Sequence, residues 1–323
     1  MKLNGFSYEN AKGNSTVSHC IYVDGVIVKA KEYLWIVKGC HHEENRIIAL
    51  PRYRLDGVKI KELAKSLEIA RRYGFLVFNE NLDALVPALP LDEIEYCLNP
   101  FNTSTLNLDD IGGTAWELKI LLAREAGISL DSIGVTGSLL AKTVIPSIEA
   151  GDIDIVVRGT RESEKAYRAL RRLREKGILS SVNSPVYREL EVQDEKTRHT
   201  LMKKRLLEGL YKNTPYSIRL IPCRKQQAIT GRIKRLGWWE GVLEIIEYVQ
   251  PYIMPYHYKI RVIRTNNPYK PTSLISYRMR FSELPLGLRL YVRGILEYHV
   301  GEGELKICPD HPGSKTLIQE TTI

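Results

Sequence analysis

The sequence has no apolar run that approaches the roughly 20 residues needed for a membrane-spanning helix. Its N-terminal stretch, MKLNGFSYENAKGNSTV, is polar and lacks the apolar core of a signal peptide. Cysteine is also scarce: the five cysteines are odd in number and widely spaced, which favours reduced thiols over a disulfide framework. Together these features predict a cytoplasmic protein with no membrane partner.

Acidic residues are almost missing from one stretch. Between Lys196 and Arg235 there are twelve Lys or Arg residues against Glu208 alone, in a chain of net charge +9. Such local basicity predicts a surface that attracts phosphates, although a solvated helix face would have the same composition. The candidate nucleic-acid-binding residues are Lys203, Lys204, Arg205, Lys212, Arg219, Arg224, Lys225, Arg232, Lys234 and Arg235.

The stretch IGVTGSLLAKTVIPSIEAGDIDIVVR, residues 133–158, contains a strand, a tight turn, a short helix and a second strand. In the turn, Gly137 permits close backbone approach to a ligand, and Ser138 places a hydroxyl beside the start of the helix. In the second strand, Asp152 and Asp154 are two residues apart, so both carboxylates project to one face. Paired carboxylates on a rigid face favour a hard divalent cation such as Mg²⁺ or Mn²⁺.

The Gly-Ser turn followed by Asp-Ile-Asp-Ile-Val-Val resembles the signature of the nucleotidyltransferase superfamily that includes DNA polymerase β. The resemblance covers about residues 112–223 and implies that Thr136, Gly137 and Ser138 bind the phosphates of an NTP. It also implies that Asp152 and Asp154 are the catalytic residues and the ligands of two metal ions.

The strand YSIRLIPC, residues 216–223, resembles the third catalytic strand of that superfamily. Ser217 stands where the third carboxylate of the family is expected, and a serine hydroxyl cannot replace a carboxylate as a base. Three explanations remain open: two acids suffice, Glu189 or Glu191 supplies the third carboxylate, or catalysis has been lost.

The block YVDGVIVKAKEYLWIVKGCHHEENRIIALPRY near the N-terminus, taken with this core, is similar to an uncharacterised archaeal family of predicted nucleotidyltransferases. Abundant Lys, Arg, Glu and Ile with few Gln would suit a thermophile. Cys40-His41-His42 and Cys308-x-x-His311 contain zinc-ligand residue types, but neither has a second pair at finger spacing. A hydrogen-bonded turn is the favoured interpretation of His41 and His42.

The expected fold class is α+β, with a polymerase β-like core of mixed sheet and helices. We expect an N-terminal β-rich α+β domain over 1–105, the nucleotidyltransferase-like domain over 106–236 and a small, mainly β domain over 237–323. Local patterns predict a hairpin turn at Asp24-Gly25, a hairpin around Gly301 and Gly303, a helix opened by a Thr114–Glu117 capping box, and helices over 59–73, 161–176, 196–211 and 242–249.

The first functional hypothesis is a metal-dependent nucleotidyltransferase that moves NMP from an NTP to a hydroxyl acceptor. The acceptor is expected to be RNA or tRNA in preference to DNA, or another polyanion. The alternative is a nucleotidyltransferase fold that has lost turnover and binds nucleic acid or nucleotide, a hypothesis motivated by Ser217.

Overall fold

Alternating apolar residues in the first third of the chain form a six-stranded antiparallel sheet, with helix α1 (Leu63–Arg72) packed on it. The computed structural model describes residues 20–102, 111–181, 197, 201 and 205–319. The strands of this N-terminal sheet are β1 (Ile27–Ala30), β2 (Tyr33–Val37), β4 (Arg46–Arg54), β5 (Leu76–Asn79), β6 (Ala84–Pro90) and β7 (Tyr96–Leu98). Their order is β5-β6-β4-β2-β1-β7, and the short β3 (His41–His42) lies outside the sheet.

The hairpin between β1 and β2 turns at Lys31-Glu32 rather than at Asp24-Gly25, where it was predicted. Asp24-Gly25 is a turn, but it precedes β1. The carboxylate of Asp24 accepts a hydrogen bond from the backbone of Gly39, so its role is to connect two loops rather than to close a hairpin.

A central five-stranded sheet has the order β10-β11-β12-β9-β8. Its strands are β8 (Ile133–Thr136), β9 (Ile153–Arg158), β10 (Leu179–Ser180), β11 (Glu208–Tyr211) and β12 (Thr214–Ile221). Strands β9 and β12 run parallel, and the other neighbours are antiparallel. Helices α2 (Ile111–Ala126) and α4 (Thr160–Glu175) pack against each other, and α3 (Gly137–Lys142) follows β8.

Two helix predictions in this part need correction. Helix α2 already includes Ile111, so Thr114 lies inside the helix and does not cap it. The helix expected over 196–211 is not continuous, because Glu208–Tyr211 pairs as strand β11 with β12. The sequence from 186 to 193, which contains Glu189 and Glu191, lies outside the described residues.

The C-terminal part is a second six-stranded sheet, β14-β15-β16-β18-β17-β19, in which β14 also pairs with β17 and closes the sheet on itself. Its strands are β14 (Ile233–Gln250), β15 (Tyr256–Thr265), β16 (Ser273–Ser276), β17 (Arg289–His299), β18 (Glu304–Cys308) and β19 (Lys315–Ile318). Strands β17 and β18 form the predicted hairpin around Gly301 and Gly303. A two-residue strand, β13 (Gln227–Ala228), pairs with β3.

The helix predicted over 242–249 is wrong, because this stretch is the second half of β14. Strand β14 pairs with β15 on one side and β17 on the other, and these pairings outweigh the local helical pattern. The predicted domain boundary at 236/237 falls inside the same strand.

The described residues are therefore of the α+β class, with more strand than helix. One buried apolar cluster runs through all three sheets. None of the helices in the described ranges is long and apolar enough to cross a membrane.

Four cysteines are paired, contrary to the expectation of reduced thiols: Cys20 with Cys97, and Cys40 with Cys223. Cys308 is buried and free. The Cys40–Cys223 bond closes a sequence separation of 183 residues and joins the loop after β2 to the residues after β12. It therefore links the N-terminal sheet covalently to the central one.

Removing the Cys40–Cys223 bond by a double Ala substitution should lower the free energy of unfolding by about 2–4 kcal/mol, because the unfolded chain gains freedom. Urea denaturation of wild type and variant, each with and without reductant, measures this. Alkylation of the unfolded, unreduced wild type should label Cys308 alone. Labelling of all five cysteines, or a wild-type midpoint that reductant leaves unchanged, would contradict the pairing.

Candidate active site

The turn between β8 and α3 brings a backbone segment against the second acidic residue of β9. Gly137 has φ +66°, and a Cβ atom built there would lie 2.1 Å from Oδ2 of Asp154. Both the backbone conformation and the space therefore require glycine. Ser138 is buried, and its Oγ has no hydrogen-bond partner among the described residues. A buried hydroxyl without a partner is a polar position that a ligand can satisfy.

Thr136 has a different environment from the one predicted. It is buried, and its hydroxyl donates a hydrogen bond to the carbonyl oxygen of Gly25. The Thr136 side chain therefore connects the turn to the segment before β1.

Asp152 immediately precedes β9, and Asp154 is the second residue of that strand. Both are half-buried, while Ile153 and Ile155 are fully buried. The predicted alternation of half-buried acidic and buried apolar side chains is therefore present. Burial, together with the charge of Asp154, raises the pKa of the Asp152 carboxyl. A cation between the two carboxylates would relieve that repulsion, and an all-oxygen donor set suits Mg²⁺ or Mn²⁺.

Ser217 lies directly opposite Asp154 in the parallel pairing of β12 with β9. Its hydroxyl donates a 2.6 Å hydrogen bond to Oδ1 of Asp154, while Oδ2 faces Gly137. Within the described ranges, no third His, Cys, Asp or Glu joins Asp152 and Asp154 in a compact group of ligand atoms. The position that the resemblance assigns to a third carboxylate is thus occupied by a hydroxyl donor.

Cationic side chains from the N-terminal part of the chain and from β12 act on Asp152. Lys59, Arg52 and Arg219 each lower the pKa of Asp152, against the larger effects of burial and of Asp154. The guanidinium of Arg52 is held by the carbonyl oxygens of Ile60 and Lys61 at 2.8 and 3.1 Å.

Lys38 belongs to the same group, which we call the cationic wall: Lys38, Arg52, Lys59 and Arg219. Burial, together with the charge of Arg219, lowers the pKa of Lys38 to about 8, while Asp24 and Asp154 act in the opposite direction. A cluster of cations beside two carboxylates is suited to bind a polyphosphate whose other oxygens contact a divalent cation. Sequence reasoning missed Lys38, Arg52 and Lys59, because nothing local in the sequence connects them with residue 152.

Arg219 was predicted to bind nucleic acid, but its guanidinium forms a 2.7 Å ion pair with Asp24, which is buried. The other oxygen of Asp24 accepts the Gly39 backbone N–H at 2.9 Å. Burial acts to raise the pKa of Asp24, but Arg219, Lys38 and the Gly39 N–H outweigh it and lower the pKa overall. This ion pair fixes one member of the cationic wall beside the site.

The other predicted basic residues are dispersed. Arg205 is buried, with its guanidinium 2.8 Å from Glu208, so it is not part of an exposed surface. Lys212 and Arg224 are exposed and form ion pairs with Glu117 and Glu162, each at 2.6 Å. The remaining members are Lys203 and Lys204, which lie outside the described residues, the exposed Lys225, Arg232 and Lys234, and Arg235, which is half-buried near Glu297.

His42 is hydrogen-bonded as predicted, but it lies with His41 in strand β3 rather than in a turn. Its Nδ1 accepts the backbone N–H of Ile48 at 3.2 Å, and its Nε2 lies 3.0 Å from the carbonyl oxygen of Tyr22. Both ring nitrogens of His42 therefore have hydrogen-bond partners. Burial lowers the pKa of His42 to about 4. With Cys40 in a disulfide, the Cys40-His41-His42 stretch does not form a zinc site.

Comparison of the chain with family models, with curated proteins and with solved structures finds no match in any of the three.

Proposed function

We propose that the chain is a divalent-metal-dependent nucleotidyltransferase that moves NMP from an NTP to a hydroxyl acceptor. The observation that carries this proposal is the contact between the Gly137 turn and Asp154, with Asp152 and the cationic wall around it. The order of strand, turn, helix and acidic strand, with a parallel third strand beside the acids, supports this proposal.

In this proposal Asp152 and Asp154 hold the cation, and the backbone at Gly137 and the Ser138 hydroxyl bind phosphate oxygens. A bound divalent cation supplies positive charge against the phosphates and makes a nearby hydroxyl more acidic. Lys38, Arg52 and Lys59 orient the triphosphate and compensate its negative charge. The Ser217 hydrogen bond fixes the rotamer of Asp154.

The acceptor is proposed to be RNA, including tRNA, or another polyanion. The exposed cations Arg224, Lys225, Arg232 and Lys234 support this proposal, because they lie between the end of β12 and the first residues of β14. Binding through such residues should be insensitive to sequence and should weaken with salt.

Incubation with labelled NTPs, Mg²⁺ or Mn²⁺ and an RNA pool should transfer label to the acceptor. Asp152→Ala combined with Asp154→Ala should lower the rate at least about 10³-fold, because several kcal/mol of charge stabilisation is lost. Asp131→Ala, which removes an exposed carboxylate just before β8, is the matched control and should transfer label as wild type does. Equal transfer by the double variant would remove the acidic pair from the reaction.

A second candidate function is nucleotide binding without transfer. The hydrogen bond from Ser217 to Asp154 favours it, because a hydroxyl occupies the place of the third carboxylate. In that case metal-dependent NTP binding would be measured with no label transfer.

Ser217→Asp distinguishes the two functions. Without metal, a third carboxylate beside Asp154 should destabilise the fold by about 1–3 kcal/mol through like-charge repulsion, and Mg²⁺ should restore the stability. A chain that has lost turnover should gain label transfer with this substitution, whereas a chain that works with two acids already transfers label. Ser217→Ala is the control, since it removes the hydrogen bond and adds no charge. Thermal unfolding with and without Mg²⁺, followed by the transfer assay, measures both effects. If Mg²⁺ did not change the thermal stability of the Ser217→Asp variant, the proposed geometry would be contradicted.

A further inference from the structure

The C-terminal sheet contains a second group of metal-ligating side chains, separate from the acidic pair. Glu297, Cys308 and His311 each place one ligand atom within 4.8 Å of the ligand atoms of the other two. Glu297 and Cys308 are buried, and His311 is half-buried. The nucleotidyltransferase proposal makes no use of these residues.

The strand register explains why these residues meet. In the antiparallel pairing of β17 with β18, Glu297 is opposite Lys306 and Ile295 is opposite Cys308. Glu297 and Cys308 are therefore diagonal neighbours on the same face of the sheet. Cys308 is the last residue of β18, and His311 lies three residues further on, where the chain has left the strand.

We propose that Glu297, Cys308 and His311 bind one transition-metal ion, with Zn²⁺ as the ion that best matches the donors. A thiolate, an imidazole and a carboxylate are all zinc ligands, and the sulfur disfavours Mg²⁺ and Ca²⁺. Zinc bonds of about 2.0–2.3 Å in a tetrahedral arrangement place ligand atoms roughly 3.3–3.8 Å apart. Oε1 of Glu297 lies 3.5 Å from Nε2 of His311, within that range. Three protein ligands leave the fourth position to a water molecule.

Groups around the cluster are arranged to orient its ligands. Nε2 of His299 lies 3.4 Å from the other oxygen of Glu297, and Nδ1 of His299 lies 3.6 Å from Glu302. The backbone N–H of Asp310 donates a hydrogen bond to the sulfur of Cys308 and so orients it, while burial and the charges of Asp310 and Glu297 raise the pKa of the thiol well above its ordinary value. His299 is thus a positioning residue for Glu297.

An ion-pair cluster is the competing explanation. Arg235 lies 3.8 Å from Glu297, and with the two histidines it can neutralise that carboxylate without a metal. That explanation gives no role to the sulfur of Cys308, whereas a metal site requires it. The experiment therefore tests whether the sulfur of Cys308 binds the metal ion.

The full chain, expressed in zinc-supplemented medium and purified without chelators, should contain about one zinc ion per chain by elemental analysis. After the zinc is exchanged for Co²⁺, a thiolate-to-cobalt charge-transfer band and strong visible bands of a four-coordinate ion should appear. Cys308→Ser should lose the charge-transfer band. The zinc affinity of Cys308→Ser and of His311→Ala should fall by at least about 10–100-fold.

His41→Ala is the matched control, because it removes an exposed histidine from the N-terminal part and should bind metal as wild type does. His311 lies in a loop, so His311→Ala keeps the test available if a substitution of buried Cys308 prevents folding. A wild-type chain with no bound zinc and no cobalt bands would overturn the proposal. So would a Cys308→Ser variant with unchanged metal affinity. Neither result bears on label transfer by Asp152 and Asp154.

Discussion

Alanine at position 137 is expected to lower metal-dependent nucleotide binding by more than about 100-fold, equivalent to roughly 2.7 kcal/mol. The added Cβ atom would lie 2.1 Å from Oδ2 and 2.9 Å from Cγ of Asp154. Either the Asp154 carboxylate leaves its position or the turn does, and both movements separate the proposed phosphate contacts from the metal ligand. Isothermal titration of an NTP in the presence of Mg²⁺ measures the loss.

Part of the effect of Gly137→Ala comes from backbone strain alone, at about 1–2 kcal/mol for a residue with positive φ. Gly127→Ala isolates that part, because Gly127 has φ +60° and no atom within 4 Å of a built Cβ. We expect Gly127→Ala to lower thermal stability and to bind nucleotide as wild type does. If Gly137→Ala also bound nucleotide normally, the turn would not be the phosphate site.

Asp24→Asn is expected to lower the free energy of unfolding by about 3 kcal/mol near neutral pH, because it leaves Arg219 without its charged partner in a mostly buried site. Lys38 beside it loses the same compensation. Urea denaturation gives the difference. Asp56→Asn is the control, because it breaks an exposed ion pair with Arg54 and should leave the midpoint unchanged.

The effect of Asp24→Asn should also depend on pH in a defined direction. Because the pKa of Asp24 is lower in the folded state than its ordinary value of about 3.9, the unfolded state binds more protons between these two values. The ion pair therefore contributes fully above about pH 4 to 5, and its contribution is lost as the pH falls through the folded pKa. The stability difference between wild type and Asp24→Asn should shrink in acid. A difference that widens in acid would contradict the assignment.

The local part of the candidate site follows from the sequence. The turn at Gly137, the strand with Asp152 and Asp154, and helix α4 lie within one or two residues of their predicted bounds, because short-range patterns determine them. Ser217 was expected beside the acids, and the register places it opposite Asp154.

What the sequence did not predict depends on contacts between distant segments. Arg52 and Lys59 approach Asp152 across about 100 residues of chain, and no periodicity marks such a contact. Arg219 belonged to a basic stretch by composition, but its partner Asp24 is 195 residues away. The stretch 242–249 has helical spacing but forms strand, because strands β15 and β17 supply its hydrogen bonds.

The contacts between distant segments around the candidate site also determine when the site can form during synthesis. Thr136 bonds to Gly25 across 111 residues, Cys40 to Cys223 across 183, and Arg219 to Asp24 across 195. Contacts at such separations close large loops, so they are slow to form. The N-terminal sheet, which carries Arg52, can fold early as the chain emerges from the ribosome. The cationic wall is complete only after residue 219 has been synthesised, because Arg219 is its last member. Assembly of the site is therefore expected to be a late step, after the individual sheets have folded.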